Sequence, residues 1–170
     1  MTTTDNKGAA DDIVVPRQKI LVVDDVSENL VAMEVVLEEL DCTIVTALSG
    51  QEALGHLLKD EFALVLLDVQ MPEMDGFEVA EIMGSNKRTA NIPIIFITAN
   101  SRDEINMRKG YSAGAVDYLY KPIEPTVLCS KVRFFLQLDY QKKRLEIKLN
   151  KLRESEHLLY AAYGQDKQPR

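Results

Sequence analysis

Apolar residues in this chain fall into five short runs separated by segments of helical spacing. The runs are KILVVD (19–24), CTIVTA (42–47), FALVLLD (62–68), IPIIFIT (92–98) and VDYLY (116–120). They are continuous rather than alternating and rich in β-branched residues, the pattern of strands buried on both faces. Between them apolar positions recur every three to four residues. The first helical segment starts near Ser27 and carries Leu30, Val31, Val35, Leu37 and Leu40. Three more open on a Ser or Asp followed three residues later by Glu: Ser49–Glu52, Asp75–Glu78 and Ser101–Glu104. Each reads as a capping box, in which two helix-end N–H groups find side-chain acceptors. The fifth has Pro125 in its first turn, where a missing N–H costs nothing.

Strand and helix in regular alternation predict an α/β fold: a doubly wound parallel sheet with helices on both faces. Composition adds limits rather than detail. The 170 residues suffice for one domain and an appendage, and 46% hydrophobic with 28% charged residues fits a globular chain. A net charge of −7 argues against non-specific nucleic-acid binding and suits a site that recruits cations. No apolar stretch approaches the ~20 residues of a membrane span. Residues 1–16 are polar, lack a signal-peptide core and are expected to be a disordered tail. Cys42 and Cys129 form no CxxC pair and sit in apolar contexts, as buried thiols of a cytoplasmic protein do. His56 and His157 have no cysteine nearby, so zinc is disfavoured.

In a doubly wound sheet the ligand site lies at the carboxyl ends of the strands. Here those ends carry Asp24 and Asp25 (first strand), Asp68 (third), Thr98 (fourth) and Lys121–Pro122 (fifth). Any one of them alone reads as a cap, a strand residue or a solvated side chain. Together at one sheet edge they read as a site. Hard carboxylate oxygens without Cys or His select a hard cation, Mg²⁺ ahead of zinc or copper.

The segments VVDD (22–25), LLDVQMPEMDG (66–76), FITA (96–99) and DYLYKP (117–122) resemble the signature segments of the response-regulator receiver family, in its order and spacing. The match covers roughly residues 17–138. The resemblance implies the flavodoxin-like (βα)5 fold with strand order 2-1-3-4-5, and a phosphoryl-accepting aspartate at Asp68. It further implies direct Mg²⁺ ligation by Asp25, Asp68 and the Gln70 backbone carbonyl, with Asp24 acting through metal-bound water. Lys121 matches the lysine that pairs with the phosphoryl group, Thr98 the switch hydroxyl and Tyr118 the switch aromatic. A cis bond before Pro122 is implied as well. The expected partner is a sensor histidine kinase or phosphotransfer protein. The expected output is a changed surface on the fourth and fifth helices and the fifth strand.

The chemistry is coherent on its own terms. A carboxylate can attack phosphorus to form an acyl phosphate, and it is ionised at pH 7 without a general base. Charge neutralisation between two anions is then the main catalytic demand.

The fifth helical segment runs on: no Gly or Pro occurs from Thr126 until Gly164. Leu138, Leu145, Leu152 and Leu159 recur every seven residues, and Leu149 joins Phe135, Lys142, Glu156 and Tyr163 at the paired heptad position. Residues 139–163 thus read as a helical extension and candidate coiled coil forming a homodimer, with 164–170 a tail or linker. Charged Lys142 and Glu156 within the seam, and Lys148 facing Arg153 in a parallel pair, weaken that reading; an exposed single helix, a crossed contact or leucines packed back on the domain are the alternatives. No helix-turn-helix pattern accompanies the basic face of Lys142, Lys143, Arg144 and Lys148, so direct nucleic-acid binding is not expected. Such an extension suits relay to an effector domain outside this chain. The rival functions are a phosphatase-like catalyst using Asp68 on an external substrate, and a scaffold that never receives phosphate.

Overall fold

The computed structural model describes residues 13–99 and 115–164. The elements run β1 (Lys19–Val23), α1 (Ser27–Leu37), β2 (Thr43–Ala47), α2 (Gly50–Lys59), β3 (Leu64–Asp68), α3 (Gly76–Ser85), β4 (Ile94–Thr98), β5 (Ala115–Tyr120) and α4 (Pro125–Tyr163). The helix expected to open at Ser101 lies outside the described residues. Thus α4 corresponds to the fifth helix of the sequence pattern.

The sheet is parallel throughout, in the order β2-β1-β3-β4-β5. This is the doubly wound, flavodoxin-like arrangement, with the order reversing direction at β1. Ile20 and Val22 of β1 share one core with Leu64 and Leu66 of β3, Leu30, Met33 and Leu37 of α1, and Leu128, Val132 and Leu136 of α4. Leu21, Val23, Val65 and Leu67 point to the opposite core, against Ala53 and Leu57 of α2 and Val79, Ala80 and Met83 of α3. Burial on both faces is why β3 and β4 carry no polar residue before their last positions, and β1 none after its half-buried Lys19. Cys42 and Cys129 are free and buried, and burial pushes both thiols up, away from the reactive thiolate.

Local capping follows the sequence closely. Asp75 accepts from the Glu78 N–H while Glu78 accepts from the Asp75 N–H, a complete capping box on α3. On α2, Ser49 accepts from the Glu52 N–H, but the Glu52 carboxylate reaches one residue further back, to Leu48 N–H. Leu40 is buried as the apolar period demands, yet α1 ends at Leu37 and Leu40 sits in the following turn. The compact unit Arg17–Asp139 is tied at its end by Gln18, whose amide donates to the Leu136 carbonyl at 2.8 Å and to Asp139 at 2.6 Å. Residues Tyr140–Tyr163 of α4 are grouped apart from that unit.

Candidate functional site

Three strand ends deliver the site. Asp24 and Asp25 follow the last residue of β1, Asp68 closes β3, and Lys121 follows β5. Because β1 and β3 are neighbours in the sheet, their ends lie side by side. One oxygen each of Asp24, Asp25 and Asp68 can be chosen so that all lie within 4.8 Å of one another. Asp24 is fully buried and Asp68 is 4% exposed, whereas Asp25 is the most open of the three.

Lys121 neutralises part of this charge. Its Nζ lies 3.0 Å from Asp24 Oδ2 and 3.4 Å from Asp68 Oδ1, between the two buried carboxylates. The Lys121 N–H also donates to the Thr98 carbonyl at 2.9 Å, which fixes the backbone of the loop after β5 to β4. The Lys121–Pro122 bond is cis, as the resemblance implies.

One ammonium does not balance three carboxylates. Burial and the neighbouring charge of Asp24 push the Asp68 carboxyl up to about 6, against the opposing pull of Lys121. Burial alone would lower Lys121, but its hydrogen bond to Asp24 and the charges of Asp68 and Asp24 hold it above the ordinary lysine value. Clustered, acid-only donors, two of them buried, with excess negative charge are what a hard divalent cation satisfies, so the residues present fit Mg²⁺. Asp24, Asp25 and Asp68 are close enough to share such an ion, and Gln70 lies exposed two residues beyond Asp68.

That loop is held close. The Gly76 N–H donates to the Val69 carbonyl at 3.0 Å, and a Cβ on Gly76 would stand 2.4 Å from the Asp68 carbonyl oxygen. Only glycine permits this approach of α3 to the end of β3. Glu73 takes a positive φ of 66°, and the Met74 N–H donates to the Pro72 carbonyl across it. Pro72 and Gly76 thus shape a tight return that leaves Asp68 facing the cluster.

Thr98 is buried at the end of β4, one residue past the Cα partner of Asp68. Tyr118 is buried in β5. A register shift between Ile94 and Ile95 sets Asp117 opposite Ile95 and Tyr118 opposite Phe96. The Tyr118 and Phe96 rings lie 5.4 Å apart, and Phe96 meets Phe77 of α3 at 4.9 Å. The seam residues Leu138, Leu145, Leu149, Leu152 and Leu159 are all exposed on α4.

A response regulator receiver domain model matches residues 20–133. This chain belongs to that family. The receiver is 40% identical over 131 residues to a "Probable cyclic di-GMP phosphodiesterase" of Vibrio cholerae, covering 77% of this chain and 29% of the relative. It is 37% identical over 132 residues to the response regulator PleD of Caulobacter vibrioides, covering 74% of the chain and 28% of PleD. The chain therefore spans under a third of the length of these two relatives. Among solved structures, the chemotaxis protein CheY4 of Vibrio cholerae superposes with a TM-score of 0.66 at 28% identity, over 70% of this chain and 98% of CheY4. The beryllofluoride-activated DrrB receiver domain gives 0.63 at 32% identity, over 71% and 98% respectively. The receiver domain of a two-component response regulator is thus the fold and family of this protein.

The sequence pattern missed Asn29. Its side-chain amide lies 3.2 Å from Asp24 Oδ1 and 3.1 Å from Oδ2. The only signal is its place in the first turn of the helix that follows VVDD, where spacing alone does not say which way an amide points.

Proposed function

We propose that this receiver is a phosphorylation-controlled switch in which Asp68 accepts a phosphoryl group from the phosphohistidine of a sensor histidine kinase or a phosphotransfer protein. The observation that carries the reading is the cluster itself: three carboxylates able to share one cation, with the Lys121 ammonium between Asp24 and Asp68. A P–O bond to Asp68 forms as the P–N bond to histidine breaks, and the departing imidazole keeps the electron pair and takes a proton. Asp68 must attack as the anion. With its carboxyl at about 6 it is mostly ionised at pH 7 even before a cation favours the charged form. Asp25, Asp68 and the Gln70 carbonyl would hold Mg²⁺ directly, with Asp24 acting through water, and the ion would supply positive charge for the phosphoryl oxygens. Lys121 turns from Asp24 towards a phosphoryl oxygen and offsets the charge that Asp68 alone cannot carry.

Phosphorylation then draws Thr98 towards the site, and Tyr118 changes its packing against Phe96, altering the outer surface of β5 and α4. The exposed leucine seam of α4 supports self-association, and the state of Asp68 biases how that helix pairs. The relay passes to an effector domain outside this chain, and no step requires nucleic acid.

Acetyl phosphate with Mg²⁺, followed by intact mass, tests the reading. The wild type gains one hydroxylamine-labile phosphoryl group, and Asp68→Asn gains none. Turnover of an external phosphoester would favour a phosphatase-like catalyst. No addition to the wild type would leave a scaffold.

A further inference from the structure

Asp24 is the most enclosed group of the site, and its hydrogen bonds are accounted for one by one. The Val26 N–H donates to Oδ1 at 2.9 Å. The Asn29 amide spans both oxygens, at 3.2 and 3.1 Å. Lys121 Nζ takes Oδ2 at 3.0 Å. Asn29 and Lys121 therefore bind the same oxygen from two elements, α1 and the loop after β5. Beyond them opens a cavity of about 250 Å³ whose polar lining is Asp24, Asn29 and Lys121, its other walls being apolar. Among the described residues, no other polar side chain lines that cavity to replace the Asn29 amide.

Two consequences follow from the geometry. A carboxylate with a fixed amide across both oxygens is held in one orientation, which sets the direction in which Asp24 faces the shared cation position. The same amide also lessens the dependence of Asp24 on the Lys121 ammonium. If Lys121 leaves for a phosphoryl group on Asp68, Asp24 keeps two donors; without Asn29 it would keep only the Val26 N–H. An under-satisfied buried carboxylate holds its remaining cation more tightly.

We propose that Asn29 is a positioning residue: it orients Asp24 toward the cation and lets Lys121 divide its charge between Asp24 and Asp68. The inference rests on the phosphoryl-acceptor reading for its second half, and on the acidic cluster alone for its first. Neighbours that orient metal-facing groups carry on the order of tenfold or more in affinity.

The experiment titrates Mn²⁺ into the full chain by electron paramagnetic resonance and measures phosphorylation by acetyl phosphate at saturating Mg²⁺. Asn29→Leu, which keeps the size and removes the donor, is expected to bind Mn²⁺ about tenfold more weakly. Its phosphorylation stays several-fold slower even when Mg²⁺ is saturating, because Lys121 is retained by Asp24. Asn29→Gln, which returns an amide donor, recovers part of both. Met33→Ala loosens α1 from the core without removing a hydrogen bond to Asp24, and keeps wild-type Mn²⁺ affinity. An Asn29→Leu protein within twofold of wild type in Mn²⁺ affinity overturns the proposal. So does an equal loss in Met33→Ala, which would make the effect one of helix packing. Failure of the wild type to accept phosphate overturns the acceptor reading instead, while the Mn²⁺ arm still decides the role of Asn29 toward Asp24.

Discussion

At the scale of single residues, Asp68 is held where its charge is costly. A carboxyl whose folded pKa lies above its ordinary value binds extra proton in the native state. The stability it contributes is full below about pH 4 and is lost as pH rises through about 6. In chelator, Asp68→Asn is therefore expected to be more stable than wild type at pH 7, by on the order of 1–3 kcal/mol. The gap should close as pH falls to 4. Paired melting curves at several pH values check this, since shifts common to both proteins cancel in the difference. Gly76→Ala is the opposite case: the new methyl meets the Asp68 backbone oxygen, which cannot swing aside. A loss of roughly 1–3 kcal/mol in denaturant midpoint analysis is expected, with weakened Mg²⁺ binding because the displaced atom belongs to Asp68. Asp24, Asp25, Asp68 and Lys121 were legible in the sequence because strand ends are marked by where apolar runs stop. Asn29 was not, since its role depends on side-chain direction within a helix turn.

At the scale of elements, helix starts were more legible than helix stops. Ser49 and Asp75 announce α2 and α3 through side chains that bond nearby N–H groups, a purely local chemistry. Ser49→Ala should cost about 1 kcal/mol, measured by urea unfolding. Leu40 shows why stops are harder to place. Its burial keeps the apolar period, but the Leu40 N–H donates to Leu37 and the Cys42 N–H to Leu40, so the chain is already turning. A buried loop leucine and a helical one leave the same mark on hydrophobic spacing. The extension of α4 was legible because nothing interrupts it, and its leucines are exposed in the isolated chain. Leu145→Lys with Leu152→Lys should shift sedimentation toward monomer while leaving the melting temperature of the receiver unit unchanged. A persistent dimer in that variant would remove the seam from the self-association proposal.

At the scale of the molecule, the order β2-β1-β3-β4-β5 turns scattered sequence positions into one crevice. Alternation of strand and helix is readable from hydrophobic period alone. The order came from the receiver resemblance, and the register shift that seats Tyr118 beside Phe96 had no sequence signal. A cation that binds only the assembled crevice must stabilise the whole fold by mass action. Adding Mg²⁺ at neutral pH should raise the melting temperature of the wild type, and Asp25→Asn should lose most of that increase. The Lys121–Asp24 contact extends this point, because its partners stand 97 residues apart in the chain. So distant a pairing adds to the share of non-local contacts in the fold, the kind that slow folding because their loops must close first. Charge balance in the crevice thus depends on both ends of the receiver, since a chain without β5 holds the clustered carboxylates but lacks the ammonium. Removing that ammonium should therefore leave the cation as the crevice's chief counter-charge.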